Sequence, residues 1–217
     1  MSPRAAPAGP VVFDCDGLLL DTERLWGRAE RKLFERHGRP FGPAEKAELL
    51  GTSTETSGRI LERLLDRPGD AQELGLELDE LVALELRDGV DARPGARALL
   101  EALVGRRRLG VASNSTHAWV DAVLAASGFA DLFEVVVTAE DVAEPKPAPD
   151  IYLRAAELLG SPASDTIALE DSPPGAASAR ASGAYVIAVP YLPGLALEAD
   201  VVAASLADEA VAAALGL

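Results

Sequence analysis

The alternation of short apolar runs with helical patterns, which fills the chain after residue 95, constrains its fold more than any other feature. The apolar runs RLGVAS, FEVVVT, TIALE and AYVIAV are separated by stretches with helical spacing. Alternation of this kind predicts βαβ crossovers and a parallel sheet covered by helices on both faces. The expected fold class is therefore α/β, with a doubly wound, Rossmann-like parallel sheet.

An earlier apolar run, PVVFD at 10–14, is predicted to join the same sheet. Between it and residue 91 the patterns are only helical, beginning with a helix that starts near Thr22 and stops at Gly38. A strand left with this helical region would lie exposed on both faces. We therefore predict a core domain made of residues 1–20 and 91–217, interrupted by an all-helical domain at 21–90.

Composition and charge exclude several classes of function. The net charge of −15 leaves no basic face for nucleic acid. One cysteine and two histidines cannot form an internal disulfide or a Cys/His zinc site. No apolar run approaches the roughly 20 residues of a membrane span. We expect a cytoplasmic protein, a monomer or weak homodimer, without nucleic-acid or membrane partners.

Polar side chains follow the carboxyl ends of the predicted strands, the edge at which open α/β sheets bind ligands. They are Asp14 and Asp16 after the first strand, Ser113 and Asn114 after the second, Lys146 after the third, and Glu170 and Asp171 after the fourth. Clustered carboxylates need a cation, because like charges raise one another's pKa. Oxygen ligands without a histidine or thiolate set favour Mg²⁺.

Four motifs resemble, in order and over nearly the whole chain, those of the haloacid dehalogenase superfamily. They are DCDGLLLDT, ASNS, EPKPAPDIY and LEDSPPG. The resemblance implies that Asp14 is a nucleophile that forms an aspartyl-phosphate, and that Asp16 is the general acid and base. It further implies that the helical insert is a cap that closes over the site and selects small phosphorylated metabolites.

The same resemblance implies the ligand sets of the site. The implied phosphate ligands are Ser113, Asn114 through its backbone N–H, and Lys146. The implied Mg²⁺ ligands are Asp14, Asp16 through its backbone carbonyl, Glu170 and Asp171. Asp16 argues against halide-cleaving and phosphonate-cleaving relatives, because the former lack this aspartate and the latter carry alanine in its place. Phosphate esters therefore remain as the expected substrates.

The run DTERLW resembles that of bacterial hexose- and hexitol-phosphate phosphatases, so the leading hypothesis is a Mg²⁺-dependent sugar-phosphate phosphatase. A β-phosphoglucomutase-like mutase remains an alternative, with Arg59 as a candidate to grip a second phosphate. Against it, this chain has Trp26 where such mutases have a histidine and Thr54 where they have an arginine. A non-catalytic protein of this fold that binds a metabolite is the other alternative.

Three residues at the start of the helical region are candidates for contact with the substrate: Thr22, Glu23 and Trp26. Trp26 shares a helix face with Ala29 and Leu33, which favours packing within the helical region over a contact with a sugar. Charged residues at a helix start, such as Glu23, are more often solvated than functional.

Overall fold

The computed structural model describes residues 4–192 and 194–217, and within them six parallel strands form one sheet flanked by helices. The strands are β1 Val11–Phe13, β2 Leu109–Ser113, β3 Val135–Thr138, β4 Ile167–Glu170, β5 Tyr185–Ala188 and β6 Val201–Val202. Their order is β3-β2-β1-β4-β5-β6, and every neighbouring pair is parallel. The expected α/β fold with a doubly wound parallel sheet is confirmed.

The described part of the chain also contains nine α-helices. They are α1 Glu23–Arg36, α2 Pro43–Leu49, α3 Thr54–Leu64, α4 Ala71–Glu85, α5 Ala96–Leu103, α6 His117–Ser127, α7 Asp150–Leu158, α8 Pro173–Ala181 and α9 Glu209–Leu215. None of the helices among the described residues combines the length and the apolar character needed to cross a membrane.

Both faces of the sheet are buried, which is why its strands are continuous apolar runs. In β1, Val12 packs into a cluster with Ile151 and Tyr152 of α7, whereas Val11 and Phe13 belong to a larger cluster that includes helices of the other face. Side chains alternate between the two faces of a strand, so each face of β1 needs its own apolar partner. The central strand is therefore fixed from both sides.

The register of β1 determines what lies at its carboxyl end. Phe13 pairs with Val111 of β2 and with Leu169 of β4. The next residue, Asp14, donates its backbone N–H to the Leu169 carbonyl at 3.0 Å. Asp14 therefore emerges between the ends of β2 and β4, where parallel strands bring their following loops together.

Helices α1–α4 occupy the stretch predicted as a separate helical domain, and they pack mainly on one another. The two connections to the sheet region run side by side: Leu20 pairs with Ala92 in an isolated antiparallel bridge, and the Asp21 N–H donates to the Asp91 carbonyl at 2.8 Å. These contacts lie at the expected boundaries. The division into a core at 1–20 and 91–217 and a cap at 21–90 stays a prediction.

Candidate active site

Three buried carboxylates meet where β1 and β4 end. Asp14, Glu170 and Asp171 each offer an oxygen atom within 4.8 Å of the other two. Their proximity follows from the sheet, because Asp14 directly follows β1 and Glu170 ends the neighbouring β4. The sequence predicts that four acids converge here, and the side chains of three of them do, whereas the Asp16 carboxylate is not part of this cluster.

Lys146 lies inside this carboxylate cluster and uses all three ammonium protons. Its Nζ donates to Asp14 Oδ1 at 2.6 Å, to Glu170 Oε1 at 2.6 Å and to the Ala112 carbonyl at 2.8 Å. Burial lowers the pKa of Lys146, but the charges of Asp14 and Glu170 outweigh it and hold that pKa above its usual value. The lysine is therefore charged, yet it neutralises only one of three carboxylates.

Asp171 is the carboxylate without compensation. Its Oδ2 is buried and has no hydrogen-bond partner among the described residues. Burial raises the pKa of Asp171 well above its ordinary value, and Asp14 and Glu170 raise it further. Burial likewise raises the pKa of Asp14. A buried carboxylate oxygen without a partner is costly unless a cation binds it, so this donor set of oxygens fits a hard divalent ion.

Gly17 permits the close approach of the loop after β1 to Asp171. It adopts a φ of +85°, a conformation that L side chains rarely adopt. A Cβ atom at this position would lie 2.3 Å from Asp171 Oδ2. Any side chain would therefore displace the carboxylate that completes the cluster.

The Asp16 carboxylate is held apart from that cluster by four neutral donors. Trp119 Nε1 donates to Oδ1 at 2.8 Å, and Trp26 Nε1 lies 3.4 Å from the same oxygen. The hydroxyls of Ser113 and Ser115 donate to Oδ2 at 3.1 and 2.9 Å. Only three of the four acids thus meet with their side chains, which leaves the backbone carbonyl as the implied metal ligand of Asp16.

Asn114 connects three segments through its side chain. Its Oδ1 accepts from the Lys146 backbone N–H at 2.9 Å, and its Nδ2 donates to the Lys146 carbonyl at 3.2 Å and to the Gly51 carbonyl at 3.1 Å. The side chain therefore fixes the segment that carries the lysine and contacts the loop between α2 and α3. The family resemblance implies a role only for the backbone N–H of Asn114.

The three candidates at the start of the helical region differ in position. Trp26 and Glu23 line the same cleft as Asp14 and Asp16, whereas Thr22 is buried outside that lining. Trp26 packs edge to face on Trp119, with 5.3 Å between ring centroids. Trp26 also packs against the main apolar cluster, which contains Ala29 and Leu33. It therefore belongs to the core of the helical region, as the sequence indicates, and to the lining of the cleft as well.

Glu23 is not solvated at its helix start, contrary to expectation, because it is buried in an ionic network. Lys46 Nζ lies 2.6 Å from Glu23 Oε2 and 3.0 Å from Glu30 Oε2, and all three residues line the cleft. Burial raises the pKa of Glu30 to about 7, against the opposing effect of Lys46. One lysine shared by two glutamates gives this network no net positive charge.

Comparison with known proteins decides the family. The family model of the haloacid dehalogenase-like hydrolases matches residues 11–183. The chain belongs to this family. Among its relatives, CbbY of Rhodobacter capsulatus is 35% identical over 191 residues, covering 83% of this chain and 84% of CbbY. The fructose-1-phosphate phosphatase YqaB of Escherichia coli (strain K12) is 31% identical over 182 residues, covering 84% of this chain and 96% of YqaB.

A solved structure of the family has the same fold. The crystal structure of CbbY from Rhodobacter sphaeroides in complex with phosphate superposes with a TM-score of 0.83 at 30% identity, covering 97% of this chain and 100% of CbbY. The expected enzyme class is confirmed: this haloacid dehalogenase-like hydrolase is a phosphatase.

Three side chains of this haloacid dehalogenase-like site have no role predicted from the sequence, although Ser115 lies at a predicted strand end. Tyr152 donates its hydroxyl to Glu170 Oε1 at 2.6 Å from a fully buried position on α7. Trp119 and Ser115 bind Asp16. Tyr152 and Trp119 lie on helices, where the sequence shows the spacing of a residue but not which strand end its side chain reaches. Ser115 lies in the bend after β2, and its sequence position does not show that its hydroxyl binds Asp16.

Proposed function

We propose that this chain is a Mg²⁺-dependent phosphatase of small phosphorylated sugars that acts through a phosphoenzyme on Asp14. The observation that carries the proposal is the buried Asp171 oxygen without a partner, in a carboxylate cluster that Lys146 neutralises only in part. Such a cluster suits a site that gains its remaining positive charge on binding a divalent cation and a substrate.

The proposed metal ligands are Asp14, Glu170 and Asp171 through their carboxylates and Asp16 through its backbone carbonyl. When bound, Mg²⁺ supplies positive charge that offsets the carboxylates and the oxygens of the transferring phosphoryl group. Glu170 is held in place by Lys146, by Tyr152 and by Ser172, whose hydroxyl donates to Oε2 at 3.3 Å. The ligand orientation is thus set by the protein before any ion binds.

Asp14 is proposed as the nucleophile. Its carboxylate oxygen attacks the phosphorus atom, the bond between phosphorus and the ester oxygen breaks, and the Asp16 carboxyl gives its proton to the leaving oxygen. Asp16 then accepts a proton from water, which attacks the aspartyl-phosphate and releases inorganic phosphate and free Asp14. The separation of Asp16 from the buried cluster supports this role, because every hydrogen-bond donor to its carboxylate in the described part of the chain is neutral.

Lys146, Ser113 and the backbone N–H of Asn114 are proposed to bind the phosphoryl oxygens. For this, the Lys146 ammonium and the Ser113 hydroxyl each exchange one of their present hydrogen bonds for one to the phosphoryl group. Lys146 already contacts Asp14, and Ser113 lies at the end of β2 beside Asp16. An ammonium, a hydroxyl and an amide that are fixed in advance stabilise the charge that spreads over these oxygens during transfer. The assignment is supported by the contact of Lys146 with Asp14 and by the place of Ser113 and Asn114 in the lining of the same cleft.

Residues 21–90 are proposed to act as a cap. The cleft that contains Asp14 and Asp16 is also lined by Glu23, Trp26 and Lys46 of the helical region. A cleft between two such layers excludes bulk water and limits substrates to small molecules. The name of the relative YqaB, a fructose-1-phosphate phosphatase, supports sugar phosphates as the class. Cytoplasmic location and a monomeric or weakly dimeric state stay predictions.

The test is release of inorganic phosphate from a panel of sugar phosphates and p-nitrophenyl phosphate, with and without Mg²⁺. We expect activity only with Mg²⁺, reversible loss in EDTA, and a fall of kcat by at least about a thousandfold in Asp14→Asn, because the amide is a poor nucleophile. Asp131→Asn, an exposed acid outside the site, is the matched control. An Asp14→Asn variant that keeps the wild-type rate would refute the proposal.

Thermal unfolding tests the proposed binding of Mg²⁺ without relying on turnover. Saturating Mg²⁺ at about 100 times its Kd adds roughly 2.7 kcal/mol to the free energy of unfolding. We expect Asp171→Asn to lose most of this gain and, without Mg²⁺, to unfold at a higher temperature than the wild type, because it removes an uncompensated buried charge. An equal Mg²⁺-induced shift in Tm for Asp171→Asn and for the wild type would contradict the assigned ligand set.

A further inference from the structure

A second pocket adjoins the cleft of the proposed active site. Trp26 and Ser115 line both spaces, so the pocket begins directly beside the Asp16 carboxylate that these residues contact. It has a volume of about 180 Å³. Its wall is mostly apolar, built from the two tryptophan rings and from Val82 and Leu86 at the end of the helical region.

One charged side chain, Asp79 of α4, lines this pocket. Among the described residues, its hydrogen-bond donor is Thr54 Oγ1, which lies 3.2 Å from one carboxylate oxygen and 3.4 Å from the other. Burial raises the pKa of Asp79 to about 6, which Thr54 opposes and Glu140 reinforces. At neutral pH the pocket thus contains a poorly solvated carboxylate that can accept further hydrogen bonds.

The cations near this carboxylate are already paired. Lys46 is the one cationic residue among those lining the cleft and the pocket, and it is shared by Glu23 and Glu30. Arg59, a candidate from the sequence for a second phosphate, forms an exposed ion pair with Glu55. It lines a neighbouring groove that shares Thr54 and Thr116 with the pocket, but it is not part of the pocket lining. A second phosphate in the pocket would therefore meet Asp79 without a compensating cation, and juxtaposed like charges reject a ligand.

We propose that this pocket receives the leaving group of the substrate, and that Asp79 selects a monophosphate whose leaving group offers a hydroxyl or amine. The selected leaving groups are uncharged or cationic, and those with a second phosphate are rejected. This inference rests on the proposed phosphatase function and narrows its substrate class. It also disfavours a phosphosugar mutase, since a sugar bisphosphate is the intermediate of that reaction and needs a cation at its far end.

The test compares fructose 1-phosphate with fructose 1,6-bisphosphate as the ratio of their kcat/KM values, measured from initial release of inorganic phosphate. We expect the wild type to favour the monophosphate by at least about tenfold. Asp79→Lys should move the ratio toward the bisphosphate by at least about tenfold, and Asp79→Asn should move it in the same direction by less. The asparagine variant keeps the side-chain size and gives the result if the lysine variant fails to fold.

Glu80→Lys is the matched control. It makes the same change of charge one position along α4, on an exposed side chain outside the pocket lining. We expect its ratio to stay within about twofold of the wild type, because exposed charges are screened. A wild type that prefers the bisphosphate, or an Asp79→Lys ratio that moves no further than that of Glu80→Lys, would overturn the inference.

Hydrolysis of acetyl phosphate distinguishes failure of the selective pocket from failure of the proposed phosphatase function. The acetate leaving group is too small to carry a second phosphate into the pocket. Mg²⁺-dependent hydrolysis of acetyl phosphate with an unchanged ratio in both Asp79 variants would overturn the selective pocket alone. Absence of hydrolysis with all three compounds would overturn the proposed function and this inference together.

Discussion

At the scale of single residues, the site gives different surroundings to two aspartates that are two positions apart in the sequence. Asp14 is buried in an ionic cluster with Lys146, whereas Asp16 accepts hydrogen bonds from indole and hydroxyl groups. A carboxylate bound to a lysine and a metal suits nucleophilic attack, and one with neutral partners can exchange a proton. The proposed division of labour therefore follows from the hydrogen-bond partners of each side chain.

Trp119 is predicted to position Asp16. Trp119→Phe keeps an aromatic ring against Trp26 but removes the N–H that donates at 2.8 Å. A hydrogen bond to a charged group contributes about 1.5–3 kcal/mol, so we expect kcat to fall by roughly tenfold or more, with a shifted pH–kcat profile and a smaller change in KM.

Trp26→Phe is the control for this prediction, because its N–H lies 3.4 Å from the same oxygen, near the limit of a hydrogen bond. We expect its kcat to fall by less. Equal values of kcat in both variants, or an unchanged pH–kcat profile in Trp119→Phe, would show that the indole N–H does not position Asp16.

At the scale of elements, α1 and α2 are joined by ion pairs. Lys46 of α2 reaches Glu23 and Glu30, which lie on the buried side of α1. Because Glu30 has a pKa of about 7 in the folded protein, against 4.5 for the ordinary side chain, folding disfavours its charged form. Its stabilising contribution is present below about pH 4.5 and is lost as the pH rises through 7.

Glu30→Gln is predicted to remove this pH dependence. Between about pH 4.5 and pH 8 we expect the free energy of unfolding of the wild type to fall relative to that of the variant, by roughly 3 kcal/mol at most. Urea unfolding at a series of pH values and constant salt measures the difference. Glu35→Gln, an exposed position on the same helix, should follow the wild type. If the free energy of unfolding varied with pH in the same way for the wild type and for Glu30→Gln, the prediction that Glu30 is a buried carboxyl with a raised pKa would be contradicted.

Features of this molecule that follow from the periodicity of the sequence could be predicted. Features that depend on how distant elements pack on one another could not. The buried strands and the meeting of Asp14 with Glu170 were predictable, since a parallel sheet brings all its carboxyl ends to one edge. The place of Trp26 was not, because a helical pattern identifies an apolar face without showing what packs on it. Trp119 and Tyr152 likewise reach the site from α6 and α7 through the geometry of packing.

At the scale of the whole molecule, one arginine connects the two ends of the chain. Arg107, just before β2, donates to the carbonyls of Gly9 at 2.8 Å and Pro7 at 3.3 Å, and to the Leu215 carbonyl at 3.1 Å. It lies at the amino edge of the sheet, whereas the candidate site lies at the carboxyl edge. A substitution of Arg107 should therefore change the free energy of unfolding without changing kcat.

Arg107→Ala is predicted to lower the free energy of unfolding by about 1–3 kcal/mol, because three carbonyls lose a charged donor. We expect kcat to stay close to that of the wild type at a temperature where the variant is folded. Urea unfolding and the phosphate-release assay measure the two quantities. Arg106→Ala, an exposed neighbour, should change neither. A large loss of kcat in folded Arg107→Ala would contradict this separation.

The indole pair beside Asp16 has an optical consequence. The chain contains two tryptophans, and they are the two rings that contact each other at an angle of 65°. Tryptophan emission from this protein therefore originates next to the Asp16 carboxylate, and not from indoles scattered over the fold. Its wavelength and intensity offer an unlabelled spectroscopic signal for events at the mouth of the cleft, readable in a stopped-flow instrument during a single turnover.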